Sequence, residues 1–188
     1  MSNILKEIIF STGNLAKLGD AIQACEAYGI NVIHKQLEID EIQSHDPLKI
    51  ALHKAKTAYD LVNKPIVVND SFWKIPALNG FPGGYMKDIT EWFTVKDFIN
   101  LMRGKTDRRV CITECIVYKD ETIEKLFTKE FWGEITDASF GEGKSIEQIA
   151  KFKGKTLGEH HQSGNTAFDA KDYIWNDFAE WFSQYKRL

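Results

Sequence analysis

The sequence predicts an α/β fold built on a mixed β-sheet. Three observations predict it. Strand-length apolar runs alternate with helix-patterned segments from Glu7 to Val62; two long strand-like runs, Val110 to Tyr118 and Glu124 to Ile135, are joined by a polar turn at Lys119 to Glu121; and apolar residues at helical spacing close the chain.

The first strand is expected over Glu7 to Ser11 and runs straight into Thr12, Gly13 and Asn14. Leu15, Leu18, Ile22 and Cys25 then repeat at helical spacing, and Gly29 supplies the stop. The start of that helix offers unpaired N–H groups with Lys17 in its first turn, which makes a candidate anion site. Taken alone, TGNLAK is better described as an ordinary capped helix with a solvated lysine. Asn31 to Leu37 predicts a second strand ending in Glu38, Asp40 and Glu41. Such carboxylates suit a hard divalent cation, although a solvated acidic loop is the commoner meaning of the cluster. Asp46 caps a helix opened by Pro47, with Leu48, Ala51, Leu52, Ala55, Ala58, Tyr59 and Val62 as its buried stripe and Lys54 on the flank.

Pro65 to Lys87 is the stretch with most chemistry. Ile66 to Val68 predicts a short buried strand that stops at Asn69, Asp70 and Ser71, so an acid at a strand end faces a cleft. GFPGG then demands a tightly specified backbone, because Gly accepts positive φ and Pro fixes its own. Strand, carboxylate and Gly-rich turn together can bring N–H groups and a metal-binding oxygen to a phosphate chain; GFPGG alone reads by default as a hairpin that needs glycine. Further on, Thr94 and Asp97 predict a capping box, with Phe93 and Phe98 as its staple and a helix to Met102 stopped by Gly104. Lys144 to Lys155 predicts a short amphipathic helix through Ile146, Ile149 and Phe152, and GKTLGEHHQSGNT a loop. Ala170 to Lys186 predicts a last helix whose Tyr173, Ile174, Phe178, Trp181, Phe182 and Tyr185 need a core or a dimer partner.

A chain of 188 residues with 43% hydrophobic content is expected to form one domain, residues 1–188. Its 24 Lys plus Arg against 27 Asp plus Glu leave no excess positive charge to hold a nucleic-acid backbone. No apolar run is of membrane-spanning length and the opening MSNILKEIIF is too charged for a secretory signal, so the expectation is a cytoplasmic protein without nucleic-acid or membrane partners. Cys25, Cys111 and Cys115 form no CxxC pair and are expected as buried free thiols. His160 and His161 have no partners at zinc spacing. GxGxxG, P-loop and GxSxG patterns are absent.

STGNLAK, EIDEIQ, HKA, VVNDS and ALNGFPGGYMK, in this order and spacing over the first half of the chain, resemble the inosine triphosphate pyrophosphatase family. The resemblance implies two lobes of an elongated sheet around a nucleotide cleft, a homodimer, and Mg²⁺-dependent hydrolysis of a nucleoside triphosphate, a non-standard purine one, to the monophosphate and pyrophosphate. By the same resemblance Thr12, Asn14 and Lys17 match the phosphate-binding start, Glu41 the metal-ligand acid and Lys54 a lysine reaching the phosphates. Asp70 matches the acid that serves the attacking water and shares the metal, with Ser71 beside it. Gly83, Tyr85 and Lys87 match the turn next to the nucleotide. Asn69 replaces a second acid, and Gly84 a frequent proline. In the second half the base-reading segments are rebuilt: only Phe140, Gly141 and Ser163 match. The competing readings are therefore the same chemistry on a different nucleotide, and a nucleotide-binding relative without turnover.

Overall fold

The computed structural model describes residues 6–185; Lys186, the expected end of the last helix, lies outside them. Strands β1 (Lys6–Ser11), β2 (Ile30–His34) and β3 (Ile66–Ile75) run parallel with β1 in the middle. The short β4 (Phe81–Gly83), which contains a cis Phe81–Pro82 peptide, pairs antiparallel with β3. β5 (Arg109–Lys119) lies antiparallel on the other side of β3, followed by β6 (Glu124–Ile135), β7 (Ala150–Phe152) and β8 (Lys155–Thr156). The expected mixed sheet and hairpin are both present.

Helices flank the sheet: α1 (Leu15–Glu26), α2 (Pro47–Val62), α3 (Met86–Trp92), α4 (Val95–Leu101), α5 (Leu157–Gln162) and α6 (Ile174–Gln184). On one face α1 and α6 pack over Phe10, Val67, Ile116 and Tyr118; on the other, Ala51, Ala55 and Ala58 of α2 cover Ile66, Val68, Cys115 and Val117. A third cluster around Trp73, Ile75, Phe98, Met102 and Ile112 holds the far end of the same long strands. Two lobes thus share β3 and β5. The aromatic stripe of α6 is spent in the first cluster, where Phe178 is fully buried and stacks on Phe182 at 5.5 Å. Among the described residues no helix is long and apolar enough to cross a membrane.

Asp46 and the Thr94–Asp97 box cap their helices as the sequence predicts, and Phe93 meets Phe98 at 5.5 Å. Several expectations are corrected. The inward face of α1 is Ala21, Ala24 and Cys25, while Leu15 is 72% exposed, because small side chains let the helix sit close on the sheet. β2 stops at His34, opposite the end of β1, rather than at Leu37. β3 does not stop at Val68: β5 continues to pair with it as far as Lys74, so its backbone groups stay satisfied through the polar triplet. Residues 144–155 are not a helix. Ile146, Ile149 and Phe152 are buried as expected, but pairing of Ala150 and Lys151 with β6 overrides the helical spacing. Within the expected loop GKTLGEHHQSGNT, Thr156 and Glu159 form a capping box that opens α5. α3 has no counterpart among the expected elements.

Candidate active site

The cleft follows from how β3 is paired. β1 accompanies it only as far as Val68, opposite Ser11, and β4 takes over at Trp73, opposite Gly83. Between them, residues 69–72 have no strand on that edge, while β5 holds their other side rigid. Alternation along the strand sends Asp70 to the α2 face and Asn69 and Ser71 to the opposite one.

On the α2 face, Lys54 Nζ donates to Asp70 Oδ1 at 2.9 Å and to Glu41 Oε1 at 2.7 Å. Its side chain is only 19% exposed, against 27% for Asp70 and 53% for Glu41. Burial draws the Lys54 ammonium down, but the Asp70 charge and hydrogen bonds to both acids outweigh it, leaving Lys54 above the ordinary lysine range. The second oxygen of Asp70, Oδ2, is buried with no hydrogen-bond partner among the described residues. An unpartnered, buried carboxylate oxygen beside a second carboxylate fits a hard cation, which needs one or two such donors when phosphates complete its shell. No group of three or more His, Cys, Asp or Glu is gathered among the described residues.

Across the gap stands the start of α1. Asn14 Oδ1 accepts from the N–H groups of Ala16 and Lys17, and Thr12 Oγ1 accepts from Asn14 N–H, so both side chains shape the turn. Lys17 Nζ reaches over to donate to the Asn69 carbonyl at 3.3 Å. Thr12, Asn14, Lys17, Glu41, Lys54 and Asp70 line one cavity of about 270 Å³. A neighbouring one of about 210 Å³ adds Ser71, Gly83 and Lys87. Gly84 is explained by its neighbours: a Cβ there would lie 2.6 Å from Ile50 Cδ1 and 3.0 Å from the Ser44 carbonyl oxygen, so the turn packs directly on the start of α2.

A larger chamber of about 470 Å³ opens on the other face, between Ser71, Trp73, Leu157, Phe168, Tyr173 and Glu114. Burial, and then the Glu114 charge, raise Asp20 above the usual carboxylate range, with Lys17 pulling the other way; burial and the Asp20 charge raise Tyr173. Sequence reasoning misses Glu114, although an acid inside the apolar run VCITECIVY is the signal that marks it.

Ten of the predicted site residues are sorted as follows: Thr12, Asn14, Lys17, Glu41, Lys54, Asp70, Ser71, Gly83 and Lys87 come together, whereas Tyr85 packs on His45 at 6.1 Å and lines none of these three cavities. Phe140 also stays out of them, 48% exposed. Its backbone carbonyl accepts from Thr156 Oγ1 at 2.9 Å, and Gly141 has no room for a Cβ, which would lie 2.1 Å from the Gly158 carbonyl carbon. In this chain Phe140 and Gly141 hold that crossing together.

The dITP/XTP pyrophosphatase of Methanosarcina acetivorans is 29% identical over 181 residues, 95% of this chain and 98% of that protein. The inosine triphosphate pyrophosphatase 2 of Trypanosoma cruzi is 32% identical over 138 residues, covering 73% of this chain and 70% of that one. Among solved structures, a HAM1 protein from Coxiella burnetii superposes with a TM-score of 0.81 at 18% identity, over 95% of this chain and 99% of that one, and shares the fold. The family model described as the Ham1 family matches residues 8–167, the span from β1 through the cleft to the far wall of the larger chamber, and this chain belongs to that family.

Proposed function

We propose that this chain hydrolyses a nucleoside triphosphate, in the first instance a deaminated purine one, to the nucleoside monophosphate and pyrophosphate. The observation that carries the reading is the meeting of Glu41 and Asp70 on Lys54 at one side of the open stretch of β3, with Lys17 at the other. The names of the M. acetivorans and T. cruzi relatives support the substrate class.

Magnesium suits the Glu41 and Asp70 oxygens, and when bound it supplies neutralisation of the phosphate oxygens. The chain's own groups carry the rest. Lys17 and Lys87 face the phosphates from α1 and from the start of α3 and draw off negative charge. Lys54 fixes the rotamer of Asp70 through Oδ1, and the anchored Asp70 carboxylate orients the attacking water, whose proton passes to solvent as the α–β anhydride bond breaks and pyrophosphate leaves. The rigid turn at Gly83 and Gly84 closes the pocket without side-chain bulk.

Pyrophosphate release measured over a panel of standard and deaminated triphosphates, with Asp70→Ala as control, tests the reading. Release that depends on Asp70 supports it; no release from any nucleotide overturns it. A second reading, the same chemistry on a different nucleotide, is favoured by the carboxylate of Glu114 in the larger chamber. On either reading the chain works as a cytoplasmic homodimer, where a reducing environment keeps Cys25, Cys111 and Cys115 free; the mass in solution by light scattering tests the dimer.

A further inference from the structure

Glu114 differs from the other acids of the cleft. It lies on β5 opposite Ser71, on the face of the sheet that carries Asn69 and Trp73, away from Lys54 and Asp70. Its carboxylate is partly buried, accepts from Asn69 Nδ2 at 3.3 Å, and has no ion-pair partner among the described residues. Lys17 borders the same chamber, yet its Nζ is directed to the Asn69 carbonyl. A partly buried charge without a cation or a full set of donors is unfavourable until a ligand provides one. Glu114 lines the larger chamber but neither of the two cavities that hold Lys54, Asp70 and Lys87. Trp73, Leu157 and Phe168 give the same chamber apolar walls on which a flat ring can lie. Of the two carboxylates in its lining, Glu147 is already taken, accepting from Lys144 N–H at 2.8 Å with His161 Nδ1 at 3.8 Å, whereas Glu114 has only the Asn69 amide.

We propose that Glu114 is the group that reads the nucleoside, accepting a hydrogen bond from an N–H of the base or an O–H of the sugar. The proposal rests on the reading of the chain as a nucleoside triphosphate pyrophosphatase. It also accounts for Asn69. The amide at 69 donates to the Cys115 carbonyl at 2.9 Å as well as to Glu114, so an acid in its place would set a carboxylate against two acceptors.

The test compares kcat/KM of the wild type and Glu114→Gln for ITP, dITP, XTP, GTP and ATP, with inorganic tripolyphosphate as a competitive inhibitor that lacks a nucleoside. Losing a charge-assisted bond is expected to lower kcat/KM for the preferred nucleotide by about 10- to 100-fold, chiefly through KM, while inhibition by tripolyphosphate changes less than about twofold. Collapse of the ITP/dITP ratio assigns the donor to the sugar, and collapse of the ITP/ATP or XTP/GTP ratio assigns it to the base. An equal loss on every nucleotide and on tripolyphosphate, or no loss at all, overturns the proposal. If the wild type turns over no nucleotide, the pyrophosphatase reading fails, and calorimetric binding of the monophosphates then decides the role of Glu114: weaker binding in Glu114→Gln keeps it, equal binding removes it. Should Glu114→Gln melt below the assay temperature, Glu114→Asp, which keeps the charge one methylene short, gives the same comparison.

Discussion

Lys54 Nζ bridges Asp70 Oδ1 at 2.9 Å and Glu41 Oε1 at 2.7 Å, joining a helix, a strand and a loop that are separate in sequence. Asp70 is thereby anchored by one oxygen and left with the other unpartnered. Asp70→Asn should therefore lower kcat about 10²- to 10³-fold with its melting temperature nearly unchanged, since the amide keeps the shape but brings no negative charge to a cation or to the attacking water. Steady-state kinetics beside a thermal melt checks this, and retention of activity within tenfold would refute the assignment.

Lys54→Met removes the cation between two acids. Because the pair is in part open to water, the stability lost should be small, about 1 kcal/mol, and the larger effect should fall on KM for the triphosphate. Urea unfolding and a KM determination on the same preparation separate the two effects.

The contact of Asn69 with Glu114 makes a paired prediction. Asn69→Asp alone should impair the enzyme, because two carboxylates then meet 3.3 Å apart, and the double variant Asn69→Asp with Glu114→Gln should recover part of the loss. A double-mutant cycle on kcat/KM with purely additive effects would show that the two positions act independently.

At Gly84 the added methyl of Gly84→Ala meets Ile50 Cδ1 and the Ser44 carbonyl. The turn must lift from α2, at a cost of about 1–3 kcal/mol, and Ile50→Val should return part of it. Chemical denaturation of the two single variants and the double variant measures this.

Burial pushes the thiols of Cys25 and Cys115 up from 9.0 to about 12. The folded chain keeps these protons to about pH 12 whereas the unfolded chain releases them near pH 9.0, so their contribution to stability is whole below pH 9 and is lost as the pH rises through that window. Alkylation at pH 8 should be slow in the native protein and fast in urea, as mass spectrometry can follow.

The legible part of the fold is the part fixed by local chemistry. Asp46, Thr94 with Asp97, and Gly104 mark helix ends by side-chain and backbone geometry that act within a few residues. The segment from Lys144 to Lys155 is the opposite case, because Ile146, Ile149 and Phe152 satisfy a helical spacing while Ala150 and Lys151 among them pair with β6, a partner the local sequence does not reveal. Strand β3 is longer than its sequence suggests for the same reason: three polar residues look like an end, and only the pairing with β5 carries the strand past them. In the site, motif order brings Lys17, Glu41, Lys54 and Asp70 together, but Glu114 enters from a strand that carries no motif, and Phe140 keeps a packing role after its neighbours have changed.

The bare edge of β3 also governs how the molecule can move. Residues 69–72 remain tied to β5 along their entire length, so the floor joining the lobes is a ladder and not a swivel. Twisting such a ladder spreads a small rotation over many hydrogen bonds, so the strand that carries Asp70 shifts little against β5.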